Sequence, residues 1–107
     1  MFFNYPQDFK EKPLLPGVTI RTAWGEKAMM SFVDFQPNGI VPPHRHPHEQ
    51  MGTVIRGEIE LVIDGEKRRV RQGDCYLVPG NVEHSARALG SPALALDIFS
   101  PPREDYK

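Results

Sequence analysis

Apolar and polar residues alternate along most of this 107-residue chain with the period of two that belongs to strands, and the runs are short. Val18 to Ala23, Met29 to Phe35, Thr53 to Arg56, Ile59 to Ile63, Cys75 to Val78 and Ala93 to Phe99 each read as one strand. Glycines at 39, 52, 57, 65, 73, 80 and 90 punctuate these runs, and eleven prolines leave little room for a helix of ordinary size. The pattern predicts an all-β domain, a sandwich or small barrel, over residues 18–107. Residues 1–17 are mixed and broken by proline, which predicts an extended N-terminal arm lying on the body or on a second copy.

Asp64-Gly65 is a two-residue hairpin signal of the kind that needs positive φ. Pairing across it sets Glu60 opposite Arg69, Glu58 opposite Arg71 and Ile59 opposite Val70, so one face is charge-matched and the other begins a core. Arg68 falls on the same side as Leu61 in that register, against the pattern. Cys75 is expected to be a small buried hydrophobe, and Trp24, at the turn after the first strand, a core or interface plug. In the last strand Leu94, Leu96 and Ile98 take one face and Ala93, Ala95, Asp97 and Phe99 the other. The second face suits either a cavity wall, with space, an ionisable group and a ring, or an exposed surface with an incidental carboxylate.

Composition narrows the classes. Thirteen Lys and Arg against fourteen Asp and Glu leave a formal charge of −1, without the field that gathers nucleic acid. The basic run Lys67-Arg68-Arg69-Val70-Arg71 is accounted for by the hairpin. One cysteine allows no internal disulfide and no cysteine-based zinc knuckle. The start, Met1-Phe2-Phe3-Asn4-Tyr5-Pro6, has neither a basic leader nor a sustained apolar run, so the expectation is a cytoplasmic protein with no membrane contact.

The candidate chemistry lies in Pro42-Pro43-His44-Arg45-His46-Pro47-His48-Glu49-Gln50, which holds three of the four histidines at every second position. Proline favours extended backbone here, and on an extended chain His44, His46, His48 and Gln50 would share one face. Clustered neutral imidazoles are metal ligands more often than solvated loop residues, and His84 is the remaining imidazole that would close such a site.

These elements resemble the two motifs of the cupin superfamily: Gly39…His44-Arg45-His46…Gln50…Gly57, then Gly73-Asp74…Pro79…His84, together nearly half the chain. The resemblance implies a single-domain double-stranded β-helix, or jelly-roll barrel, around one metal. The slot usually held by glutamate contains Gln50, with Glu49 one residue away; Asn81 and Ala88 also depart from the common pattern. A closer likeness joins His46-Pro47-His48-Glu49-Gln50 to the run from Asp97-Ile98-Phe99 through Arg103 to Tyr106. It is similar to the cupins of pectin and alginate breakdown that open the ring of unsaturated monouronates. That likeness implies metal ligation by His44, His46, Gln50 and His84, catalysis by Asp97, Phe99 and Arg103, and a homodimer.

A neutral Gln50 would leave a divalent ion near its full charge, which favours a Lewis acid over redox work, whereas non-haem oxygenases use two histidines and a carboxylate. Zinc or nickel is the first expectation, with manganese, iron or copper open, and His48 is a spare donor or an outer partner if Pro47 turns it away. The expected substrate is a small carboxylated sugar. A metal-dependent dioxygenase, a polyketide-cyclase-like cupin and a non-catalytic sugar-binding module are the alternatives.

Overall fold

The computed structural model describes residues 1–107. It consists of ten strands: β1 Lys10–Leu15, β2 Val18–Trp24, β3 Met29–Phe35, β4 Ile40–His44, β5 Glu49–Arg56, β6 Glu58–Ile63, β7 Glu66–Arg71, β8 Cys75–Val78, β9 His84–Ala88 and β10 Ala93–Ser100. One short 3₁₀ turn follows at Glu104–Tyr106. No helix is long and apolar enough to cross a membrane.

The strands form two antiparallel sheets, ordered β1-β2-β3-β10-β5-β8 and β4-β9-β6-β7. Alternation decides which side of each strand is buried: Val18, Ile20 and Thr22 of β2, Met29, Ser31, Val33 and Phe35 of β3, and Ala93, Ala95, Asp97 and Phe99 of β10 all point inward. Ile59 and Leu61 of β6 and Val70 of β7 meet them from the other sheet, in one apolar cluster that also takes in Val54 and Tyr106. The two inner faces close over a single core, as the strand pattern predicts.

The hairpin forms in the expected register, with Glu60 opposite Arg69, Glu58 opposite Arg71 and Ile59 opposite Val70. Asp64 and Gly65 both take positive φ, 50° and 80°. Arg68 does lie opposite Leu61, but at the exposed end of the inner face, where it pairs with Glu66 at 2.8 Å in solvent. An inward position on a strand is a buried one only where the other sheet covers it.

Elsewhere the outcome differs from the pattern. Residues 10–15 of the N-terminal segment form β1, an edge strand paired with β2. β5 begins at Glu49 rather than Thr53, and β9 was not evident from alternation, since His84-Ser85-Ala86-Arg87-Ala88 carries no bulky apolar residue. Cys75 is exposed, because its neighbour Tyr76 is the residue that turns inward. Trp24 ends β2 at 36% exposure beneath the Lys107 ammonium, so it plugs no core.

The burial difference between the two faces of the hairpin has a measurable consequence. Ile59→Ala should lower the unfolding free energy by about 2–5 kcal/mol, whereas Arg71→Ala, on the exposed face, should cost less than about 1 kcal/mol. Urea titrations of both variants read the contrast, and equal losses would contradict this packing.

Candidate metal centre

Two strands of the smaller sheet begin the site. His44, the last residue of β4, is the direct cross-strand partner of His84, the first residue of β9, and their rings lie 4.2 Å apart. After His44 the chain leaves the sheet, and β5 starts only at Glu49. The histidine stretch is therefore not one continuous strand, and His44, His46, His48 and Gln50 do not share a face by alternation. His46 instead reaches His44 and His84 through the bend, with ring centroids 5.7 and 4.8 Å away.

The bend is fixed from below by the turn 79–82. The Asn81 N–H donates to the His46 carbonyl at 2.7 Å, with Asn81 in left-handed backbone at φ 64°. Gly80 lies so close to Pro47 that a Cβ there would come within 2.6 Å of the Pro47 carbonyl oxygen. His48 is absent from the group of histidines able to share an ion, although its ring stands 5.5 Å from that of His46.

Nitrogen and oxygen donors converge. The ligand atoms of His44, His46 and His84 all lie within 4.8 Å of one another. In each case Nδ1 is paired with a main-chain carbonyl two residues away, Pro42 at 2.9 Å, His48 at 3.1 Å and Val82 at 2.8 Å. An Nδ1–H that donates to a carbonyl leaves Nε2 as the bare nitrogen, the arrangement metal-bound histidines use. The Nε2 of His84 is buried without a partner.

His46 shows most clearly what the pocket fits. Its Nδ1 faces the His48 carbonyl and its Nε2 faces Gln50 Oε1 at 3.1 Å. Burial, with Arg103 and His84 adding to it, holds this imidazole down at about 4, and burial lowers His84 as well. A neutral ring has only one N–H, so in either tautomer one nitrogen lone pair confronts an oxygen. A divalent ion beside Nε2 and Oε1 removes that conflict, so the residues present fit a bound metal.

The larger sheet supplies the opposite wall. His44, Gln50, His84, Tyr76, Asp97, Phe99 and Arg103 line one cavity, bounded below by Val33, Phe35, Ile59 and Leu61. The inward face of β10 is thus a cavity wall, and Phe99 lies edge-on to His46 at 5.6 Å. Burial pushes the Asp97 carboxyl up to about 6, against hydrogen bonds from Tyr76 and Gln50 and the nearby Arg103 charge. The Tyr76 hydroxyl donates to Asp97 Oδ1 at 2.7 Å.

Arg103 is buried with its guanidinium carbon 3.7 Å from the Tyr106 ring centroid and 5.2 Å from that of Phe99. Asp105 takes Nε at 3.3 Å and Nη2 at 2.9 Å, and Nη1 is left buried with no partner. The structure therefore gathers all seven residues singled out in the sequence. It adds Tyr76 and Asp105, for which the only sequence signals were the alternation of β8 and the spacing of two from Arg103.

Residues 31–99 match the cupin domain family. The pectin degradation protein KdgF of Dickeya dadantii (strain 3937) is 38% identical over 84 residues, 78% of this chain and 76% of that protein. Among solved structures, KdgF from Halomonas sp. superposes with a TM-score of 0.91 at 32% identity, over 100% of this chain and 99% of that one. An RmlC-like cupin from Shewanella frigidimarina NCIMB 400 gives the same score at 25% identity, over 100% and 96%. The matched segment runs from the middle of β3 into β10 and carries the whole imidazole cluster, and the chain belongs to the cupin family.

Proposed function

We propose that this protein opens and ketonises 4,5-unsaturated monouronates, the sugar acids left by enzymatic cleavage of pectin and alginate, in the cytoplasm. The observation that carries this reading is the facing of a buried imidazole cluster by Asp97 and the unpartnered Nη1 of Arg103 across one cavity. The likeness to the pectin degradation protein KdgF supports the choice of substrate.

His44, His46, Gln50 and His84 would hold one divalent ion, zinc or nickel first, and all four donors are neutral. Such an ion supplies a Lewis acid that polarises oxygen atoms of the sugar. Arg103 Nη1 donates to the substrate carboxylate; its other edge is held by Asp105, so the grip is through one nitrogen. Asp97 takes the proton of the ring hemiacetal hydroxyl as the bond between the anomeric carbon and the ring oxygen breaks, leaving an aldehyde and an enolate. It then delivers that proton to the enolate carbon, giving the ketone, so the reaction is an isomerisation with no atom gained or lost. A carboxyl poised near 6 can do both at neutral pH. Phe99 closes the wall beside His46 and keeps water from the reacting face.

A second copy would pair on the outer face of the larger sheet. Met30, Met51 and Leu77 lie exposed along one cross-strand row there, with the half-buried Ile98 among them. Exposed apolar rows of this extent mark association surfaces. Light scattering should give a dimer, and Met51→Lys with Leu77→Lys a monomer; a wild-type monomer at micromolar concentration would remove this part of the reading.

The activity is tested by adding purified unsaturated galacturonate to metal-loaded protein and following loss of the conjugated chromophore. Elemental analysis should find about one ion per chain, and His46→Ala should lose both the ion and the acceleration over buffer. Asp97→Asn should keep the ion and lower kcat by about 10²–10⁴-fold. Metal-loaded wild-type protein that does no better than buffer would end the proposal.

The same carboxyl has a stability signature. Its folded pKa of about 6 lies above the unsubstituted 3.8, so the folded state binds the extra proton and loses stability as pH rises through that window. In chelator, Asp97→Asn should therefore be more stable than wild type by on the order of 1–3 kcal/mol at pH 8, with the advantage gone near pH 4. Thermal unfolding across this range measures it, and a variant that is less stable at pH 8 would show that Asp97 is not held against its charge.

A further inference from the structure

Asp97 of β10, Gly52 of β5 and Tyr76 of β8 are successive cross-strand partners in one row of the larger sheet. Two strand spacings, roughly 9–10 Å, separate the backbones of the first and last, yet Tyr76 Oη lies 2.7 Å from Asp97 Oδ1. The phenol gets there by lying across the residue between them. A Cβ at Gly52 would fall 2.5 Å from both Cε1 and Cζ of Tyr76 and would collide with Asp97 Oδ1. Gly52 has no left-handed φ, so the glycine is required for the space above its backbone and not for its conformation. A sheet built only for stability would place a side chain here; this one keeps a slot open for a single hydrogen bond.

We propose that Tyr76, seated over Gly52, is a positioning residue that holds one oxygen of the Asp97 carboxyl so that the other faces the substrate. The proposal rests on the proton-carrying role of Asp97 given above. Tyr76 suits it because burial and the adjacent carboxyl keep the phenol protonated, so it is a permanent donor. The reach is set by a rigid ring with two torsions, which orders the carboxyl at little entropic cost.

Tyr76→Phe removes the donor and keeps the ring. In metal-loaded protein it should lower kcat on unsaturated galacturonate about ten- to a hundredfold with KM within about twofold, at unchanged metal content. On an Asp97→Asn background the same substitution should change the residual rate by less than about twofold, because the two groups act as one unit. Gly52→Ala, which displaces both the ring and the Asp97 carboxyl, should lose at least as much kcat as Tyr76→Phe. The infrared carboxyl band assigned by its loss in Asp97→Asn should shift in Tyr76→Phe whether or not uronate is the substrate. A wild-type protein inactive on uronate would thus overturn the proposed function alone, with the infrared band still reading the contact. Unchanged kcat in Tyr76→Phe, a full second loss on the Asp97→Asn background, or an unmoved carboxyl band would overturn the role of Tyr76.

Discussion

The site depends on one pairing in the smaller sheet, His44 of β4 against His84 of β9. Residues forty positions apart meet because the two strands are hydrogen-bonded neighbours, and a one-residue slip would send one imidazole to the outer face. The register is anchored on the far side too, where His84 also faces Ile63 of β6. Main-chain carbonyls then orient each ring from behind. Ring position comes from the sheet for His44 and His84 and from the bend for His46, and ring rotation comes from the backbone.

The larger sheet contributes a different kind of order. Its wall residues come from β10 and the segment after it, and Arg103 is held by stacking on Tyr106 and by Asp105. Burying Asp97 and Arg103 in one cavity costs desolvation of both, and that cost appears as the raised carboxyl of Asp97. Neutral imidazoles and a neutral amide opposite mean that none of the donors themselves offsets the charge of an ion in the pocket. Stability is given up at the wall so that a carboxyl can carry a proton near neutrality.

Much of this was legible from residues alone where a local rule acts. The period of two gave the inward face of β10, and Asp64-Gly65 with matched charges gave the β6–β7 register to the residue. The motif likeness brought His84 to the other histidines, which spacing by itself could not do. What escaped were features set by tertiary contact. The break between β4 and β5 arises from the packing of Pro47 on Gly80, and without it alternation wrongly aligned His48 with the cluster. Tyr76 was overlooked for Cys75 because a four-residue strand reads the same in either orientation until its partner is known. β9 was invisible because its inward residues are a histidine, two alanines and no large apolar group.

Gln50 shows why the departure from the common glutamate matters to the whole cavity. Its Oε1 stands 3.1 Å from His46 Nε2, on the metal side, while its amide favours the charged form of the Asp97 carboxyl on the other. An amide offers an acceptor to an ion and a donor to a carboxylate at the same time, which an ionised glutamate cannot. A glutamate at this position would set two buried acids against each other, and the pair would share one proton rather than leave Asp97 free to move its own. The amide thus joins the imidazole cluster to the proton carrier without adding charge to either, and the electrostatics of the two sheets meet at this one side chain.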